Sequence, residues 1–264
     1  MGISSSAFSE KAARGAYFNQ SVGFSLNPLG LLFTSHILYR VPLSDKPGIL
    51  WESTKLDLGF CNELAPAFES PGLFIQYEPV AIFDIAVYCN YLSVFDALGF
   101  GYVKLDSYRS QYEPSAINDS AQSNEHGIWV RVAPTIKAKV GKVLFLDAFM
   151  MHCFLISRNA FYFEQITHTV LDKTDVVLRN NVFTLYEFSE AFMAGVNYFY
   201  QTVPSSGSTT HRLSLTSVYM HKFRNETALS TALVAGTYLK HDYMDYSDPY
   251  VALQLEISLK LNKR

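Results

Sequence analysis

The sequence predicts an all-β protein, an antiparallel up-and-down transmembrane β-barrel of about twelve strands. Three observations predict it. Apolar and polar residues alternate with a period of two along most of the chain. The alternating runs reach the roughly 9–11 residues that a tilted strand needs to cross a bilayer, longer than the usual soluble strand of about 5–6. Connections between runs are mostly short and long in turn. Composition agrees: 49% of the 264 residues are hydrophobic and only 17% charged, with 20 Phe and 17 Tyr, against about 25% charged in an average soluble domain.

The twelfth strand, 249–261, shows the pattern most clearly. Val251, Leu253, Leu255, Ile257, Leu259 and Leu261 alternate with Ala252, Gln254, Glu256, Ser258 and Lys260. From the start of the chain, the first strand (16–26) sets Val22, Phe24 and Leu26 against Ser21, Gly23 and Ser25, and the second covers 29–43. The third (49–64) sets Leu56, Leu58 and Phe60 against Lys55, Asp57 and Gly59; a short fourth covers 73–78. The fifth (80–105) opposes Phe83, Ile85, Val87, Cys89 and Tyr91 to Asp84, Ala86, Tyr88 and Asn90. In the sixth (127–140), Ile128, Val130, Val132, Pro134 and Ile136 oppose Trp129, Arg131, Lys137 and Lys139. The seventh (143–170), eighth (176–188), ninth (191–203), tenth (211–223) and eleventh (229–241) continue the series. Breaks at Phe95–Leu98 and Ser157–Asn159 leave fourteen strands as the alternative. Residues 1–264 form a single domain, with 1–15 a flexible N-terminal segment.

Connections after even-numbered strands are short: Ser44–Gly48, Glu78-Pro79, Gly141-Lys142, Ser189-Glu190 and Arg224–Ala228. Those after odd-numbered strands are mostly longer and more polar, above all Asp106–His126, then Pro204–Thr210 and Asp242–Asp248. Asn27-Pro28 departs from the rule. Periplasmic turns and external loops produce this parity, which places both termini on the periplasmic side. Tyr198-Phe199-Tyr200, Phe161-Tyr162-Phe163 and Tyr243, Tyr246 and Tyr250 cluster near strand ends, where interfacial aromatics belong.

The polar faces collect charge, and Lys55, Asp57, Asp84, Arg131, Lys137, Lys139, Arg212, Glu256 and Lys260 are the candidate pore-lining residues. Basic residues outnumber acidic ones among them, which implies mild anion preference in an open pore. A solvated outer face of a soluble sheet would alternate in the same way; the length of the strands and their uniformly apolar second face favour the barrel.

A net charge of −3 excludes the basic footprint of a nucleic-acid binder. Cys61, Cys89 and Cys153 are odd in number and lack metal or disulfide spacing, so no metal or cofactor is expected. Motifs of serine hydrolases, nucleotide-binding loops and zinc hydrolases are absent. His36 and His152 are the histidines a membrane-embedded lipid hydrolase could use, but Ser35, adjacent to His36, points to the opposite face. Asn118 and Asn225 fit a glycosylation pattern that a bacterial protein would leave inert. Met1–Gln20 has no apolar core of a signal peptide; the expectation is a mature exported chain with its leader removed.

On this pattern, over 16–261, the chain resembles the outer-membrane β-barrel proteins of Gram-negative bacteria. Leu64-Ala65-Pro66-Ala67-Phe68, Tyr77-Glu78-Pro79-Val80-Ala81, Lys137-Ala138-Lys139-Val140-Gly141 and Leu239-Lys240-His241 also resemble uncharacterised barrels of myxobacterial type. The chain departs in ending Leu261-Asn262-Lys263-Arg264, without the terminal aromatic many such barrels carry. The resemblance implies an outer-membrane protein in contact with its lipids, and the leading expectation is a porin-like channel for passive diffusion of small polar solutes or ions. Two alternatives stand beside it: a membrane-embedded lipid hydrolase, and a plugged structural or adhesive barrel acting through its external loops.

Overall fold

Alternation becomes a closed sheet. In a computed structural model that describes residues 12–48, 50–96, 101–108, 122–157, 161–223, 227–242 and 249–261, the described strands are β1 (Gly15–Leu26), β2 (Gly30–Pro42), β3 (Lys55–Leu64), β4 (Phe68–Val80), β5 (Phe83–Val94), β6 (Tyr102–Leu105), β7 (Gln122–Ser123), β8 (Glu125–Val140), β9 (Val143–Ile156), β10 (Phe161–Glu164), β11 (Thr169–Leu171), β12 (Thr174–Ser189), β13 (Phe192–Val203), β14 (Ser208–Lys222), β15 (Ala228–Lys240) and β16 (Pro249–Lys260). Twelve of these close an antiparallel barrel in the order β1-β16-β15-β14-β13-β12-β9-β8-β5-β4-β3-β2. The seam runs from Tyr17↔Lys260 to Leu26↔Val251 in unbroken register. The remaining four form a separate sheet, β11-β10-β6-β7.

The outer face is apolar all round. Leu73, Ile75 and Tyr77 on β4, Ile128 and Ile136 on β8, Leu213, Leu215 and Tyr219 on β14 and Leu253 and Leu255 on β16 are all exposed. Leu215, at mid-strand, is 70% exposed. A protein in water hides such a surface; a bilayer covers it. Polar interruptions include Gln20 and Ser35, which face outward and bond to each other at 2.5 Å, and Asp147 and Asn180 on neighbouring strands. The inward face carries the glycines. A Cβ at Gly195 would run into the Thr184 carbonyl oxygen, and one at Gly236 into that of Leu213. Only glycine allows the strands to coil so tightly at these positions.

Four expected strand ranges are corrected. The third begins at Lys55, not residue 49, because Trp51 and Glu52 donate to the Gly48 carbonyl and Thr54 to that of Trp51, making turns of an apolar run. That connection is therefore 43–54, the longest described at the end of the barrel that carries β1's start and β16's finish, called here the near end. The fourth strand is far longer than 73–78, which reduces the connection before it to residues 65–67. The fifth and seventh do not run on to 105 and 170. They break where the sequence breaks, but their continuations leave the barrel for the small sheet, which is why fourteen wall strands do not form. Phe161-Tyr162-Phe163 is consequently no lipid-facing girdle: Tyr162 and Phe163 are buried within the far mouth. Phe199 and Tyr250 also point inward, against Arg212. Most of the long loop (109–121), residues 1–11, Tyr243, Tyr246, Asn118 and Asn225 lie outside the described residues; Ala12 donates its amide to the Glu52 carbonyl at 2.8 Å.

An Arg placed on the lipid side near mid-strand costs about 2–4 kcal/mol in a barrel of this kind. Leu215→Arg should therefore lower the unfolding free energy, read from a denaturant titration in detergent, by that amount and shift the midpoint down with it. An unchanged midpoint, with the wild type monodisperse in plain buffer, would show that no bilayer covers this face.

Candidate functional site: the barrel lumen

Inward side chains are arranged as two unlike walls. The wall of β2, β3, β4, β5 and β8 carries charge in pairs. Arg40 binds Asp57 through two hydrogen bonds of 2.8 and 2.7 Å, and cross-strand register sets the two side by side. Lys55 faces Glu78 across β3–β4 at 3.4 Å; Glu78 also takes Lys137 at 3.5 Å, and Lys137 reaches Asp84 at 2.9 Å. Gln76 donates to Asp84 at 3.2 Å. Farther in, Arg131 pairs with Glu63 and lies over the Tyr88 and Trp129 rings. These groups are nearly all buried, so each depends on its partner.

The wall of β12, β13 and β14 is layered. At the near end Leu144, Leu146, Phe183, Leu185, Met193, Val218 and Ala232 pack into an apolar cluster. Above it comes a polar band of Asn181, Asn197, Ser214 and Thr216, then Arg179, Gln201 and Arg212, all on the inward face. The far mouth is filled by a second apolar cluster. Inward-facing Phe68, Leu92, Trp129, Phe154, Val177 and Val203 pack around Tyr102, Tyr162 and Leu171 of the small sheet.

That filling is a hairpin. β10 descends into the barrel, turns over Gln165–His168, and returns as β11. Arg179 Nη2 donates to the Ile166 carbonyl at 2.8 Å, and Gln201 Nε2 to that of Thr167 at 2.8 Å. The two side chains are register partners, and Arg179 Nε also donates to Gln201 Oε1 at 2.6 Å. Glu164 closes the turn from within by accepting from the amides of Ile166 and Thr167 and from the Thr167 hydroxyl. His168 adopts φ +52°, a left-handed conformation uncommon for histidine. Burial pushes the Glu164 carboxyl up, against its hydrogen bonds. Burial, with Arg179 and His241 adding to it, holds the His168 imidazole down at about 3. At the outer rim a cleft of about 340 Å³ is lined by Ser107, Tyr108, Phe161, Ser205 and Ser206, with Tyr108 and Ser205 both donating to Asp175.

All nine candidate pore-lining residues point inward. Lys55, Asp84 and Lys137 are brought together by Glu78, which the sequence alone places in a turn beside Pro79. Asp57 joins Arg40, and Lys139 joins Glu187 at 2.6 Å. Arg131 is neutralised by Glu63, whose place in the inward series after Asp57, Gly59 and Cys61 was a usable signal. Arg212 stands apart on the opposite wall, and Glu256 and Lys260 lie on β16. The positive field attributed to Arg131 and Lys137 is thus cancelled where they stand. Arg179 is missing from the candidates because Asn180-Asn181 interrupts the alternation beside it; Gln201 falls on the polar face of the ninth strand, as the alternation places it, but carries no charge to single it out. His36 packs against Phe74 and Tyr88, while His152 accepts from the Trp129 indole at 3.2 Å.

No protein-family model matches the chain, and no curated protein matches it. Solved structures with a similar course include a KdgM porin in complex with disordered oligogalacturonate (8% identity, covering 93% of this chain and 99% of that one, TM-score 0.42). The CymD monoaromatic hydrocarbon channel follows with 9% identity, 96% and 90% coverage and a TM-score of 0.46. OmpT, an outer membrane protein of Vibrio cholerae, gives 8%, 95% and 98%, and 0.38. Identity at this level carries no residue across.

Removing one member of a buried ion pair typically costs about 3–5 kcal/mol, whereas exposed pairs contribute about 0–1 kcal/mol. Glu78→Gln strands the buried Lys55 and leaves Lys137 with Asp84 alone, and should lower unfolding stability in the higher range. Lys139→Gln, which breaks a half-exposed pair, should fall in the lower one. Equal, small losses in denaturant titrations would mean that the wall around Glu78 is open to water.

Proposed function

We propose that the protein is a bacterial outer-membrane barrel forming a narrow passage for small polar solutes, closed at rest by the β10–β11 hairpin. The observation that carries this reading is how the hairpin is held. Its tip is held to the wall by side-chain donors, Arg179 and Gln201, to two main-chain carbonyls, and, among the described residues, not by strand pairing with the wall. Such a contact can release without breaking the barrel. The membrane assignment is supported by the closed sheet, the apolar outer face and the shared end of both termini. Twelve strands stand between side-chain-filled small barrels and wide 16–18-stranded pores, so a narrow passage suits the size.

Release uncovers Tyr162, Phe163, Val170 and Leu171, all buried. At about 1.5–3 kcal/mol for each large apolar side chain, the closed state dominates. The same packing favours a second reading, a permanently plugged barrel acting through its external loops. The two differ in one experiment. Replacing residues 161–171 with a Gly-Ser linker should turn a wild type with rare openings into a steadily conducting barrel in planar bilayers. A folded, heat-modifiable deletion variant without conductance would establish the plugged reading. If the deletion does not fold, Arg179→Ala with Gln201→Ala keeps the chain length and should raise the open fraction.

A further inference from the structure

The polar band on the β12–β14 wall has more hydrogen-bonding capacity than the protein uses. Asn181 Oδ1, Asn197 Oδ1, Ser214 Oγ, Thr216 Oγ1 and Arg212 Nε are all buried without a protein partner. They are contiguous. Register sets Asn181 and Arg212 on either side of Phe199, and Asn197 beside Ser214. Neighbouring strands lie about 4.8 Å apart and successive inward residues of one strand about 6.6 Å apart, so Arg212, Asn181, Asn197 and Ser214 lie within reach of one small molecule, with Thr216 at the far edge of the band. Thr216 stands beside Gly195 and Ser214 beside Gly236, so neither hydroxyl is covered by a side chain from that neighbour. Buried polar groups in folded proteins are satisfied by protein, water or ligand, and five together on one wall mark a place built for a visitor.

The charge at this place is positive. Among the described residues, neither Arg179 nor Arg212 has a carboxylate within ion-pair distance. Glu164, the carboxylate nearest in the hairpin, spends its oxygens on Thr167 and Ile166. Arg212 lies with its flat face over Tyr250 at 3.5 Å, with the Phe199 ring at 4.8 Å and the Tyr238 ring at 5.8 Å, and it also hydrogen-bonds Tyr238. The aromatic rings fix its plane and leave its Nε–H as a free, oriented donor. A guanidinium donor calls for an anionic oxygen. The two asparagine oxygens accept only, and so call for hydroxyl donors on the same molecule.

We propose that this wall binds a small hydroxylated oxyanion, its carboxylate or phosphate on Arg212 and its hydroxyls on Asn181, Asn197 and Ser214. The proposal rests on the lumen being reachable by solute, as the passage reading requires, but not on through-conduction. The probe is D-glycerate, titrated calorimetrically into the full-length protein in detergent, with propionate as the anion without hydroxyls. Glycerate should bind saturably and propionate at least tenfold more weakly. Arg212→Gln should weaken glycerate at least tenfold, and Ser214→Ala with Asn181→Leu should bring glycerate down to the level of propionate. No saturable binding of glycerate to wild type, or the same affinity in Arg212→Gln, would overturn the site; equal binding of both anions would overturn the hydroxyl contacts. If Arg212→Gln does not fold, the Ser214→Ala/Asn181→Leu pair decides. Binding without conductance in the hairpin-deleted barrel would sink the passage and leave the site standing; conductance without binding would do the reverse.

Discussion

Every residue on a strand of a closed sheet belongs either to the interior or to the exterior, and none can change sides unless the whole strand slips by one position. In this chain the constraint is met twelve times and sealed once, where β1 pairs with β16 from Tyr17↔Lys260 to Leu26↔Val251. Slipping that seam by one residue would send Glu256 into the apolar exterior and Leu255 into the lumen. The ordering is therefore held by the cost of misplacing charge as much as by the gain from backbone pairing.

With the exterior committed to apolar side chains apart from interruptions such as Asp147, most ionisable wall groups have to be accommodated inside. One wall does so by pairing, in the series that links Lys55, Glu78, Lys137 and Asp84. Among the described residues, the opposite wall does not pair its arginines with carboxylates. It uses Arg179 to hold the hairpin turn and rests Arg212 on aromatic rings. The difference gives the interior a neutral, rigid side and a positive side whose donors are partly unused. The hairpin that fills the far mouth docks on this second side, through Arg179 and Gln201.

The barrel was legible in the sequence because period-two alternation is a property of the strand itself. It could be counted in β16, β14 and β8 without knowing any neighbour. What the pattern does not contain is which apolar surface an alternating run will cover. Phe161-Tyr162-Phe163 is apolar enough to belong to a wall strand, yet it covers the inside of the mouth, and the seventh strand is therefore shorter than the sequence suggests. Strand four was drawn too short because Pro71 and Gly72 weaken the propensity of a stretch that tertiary pairing nevertheless holds. The charged side chains were found by facing direction alone, but their partners depend on register between strands, which the sequence does not state. Glu63, Glu78, Arg179 and Gln201 all belong to that class.

The central claim is that a releasable hairpin closes the lumen and that Arg179 and Gln201 hold it there. The direct measurement is the reaction rate of a cysteine at Val170, a fully buried position on β11, with a membrane-impermeant thiol reagent, after Cys61, Cys89 and Cys153 have been replaced. The account predicts very slow labelling of Val170→Cys in the otherwise intact barrel, and labelling at least tenfold faster when Arg179→Ala and Gln201→Ala are added. Rapid labelling with both side chains present, or the same slow rate without them, would contradict it.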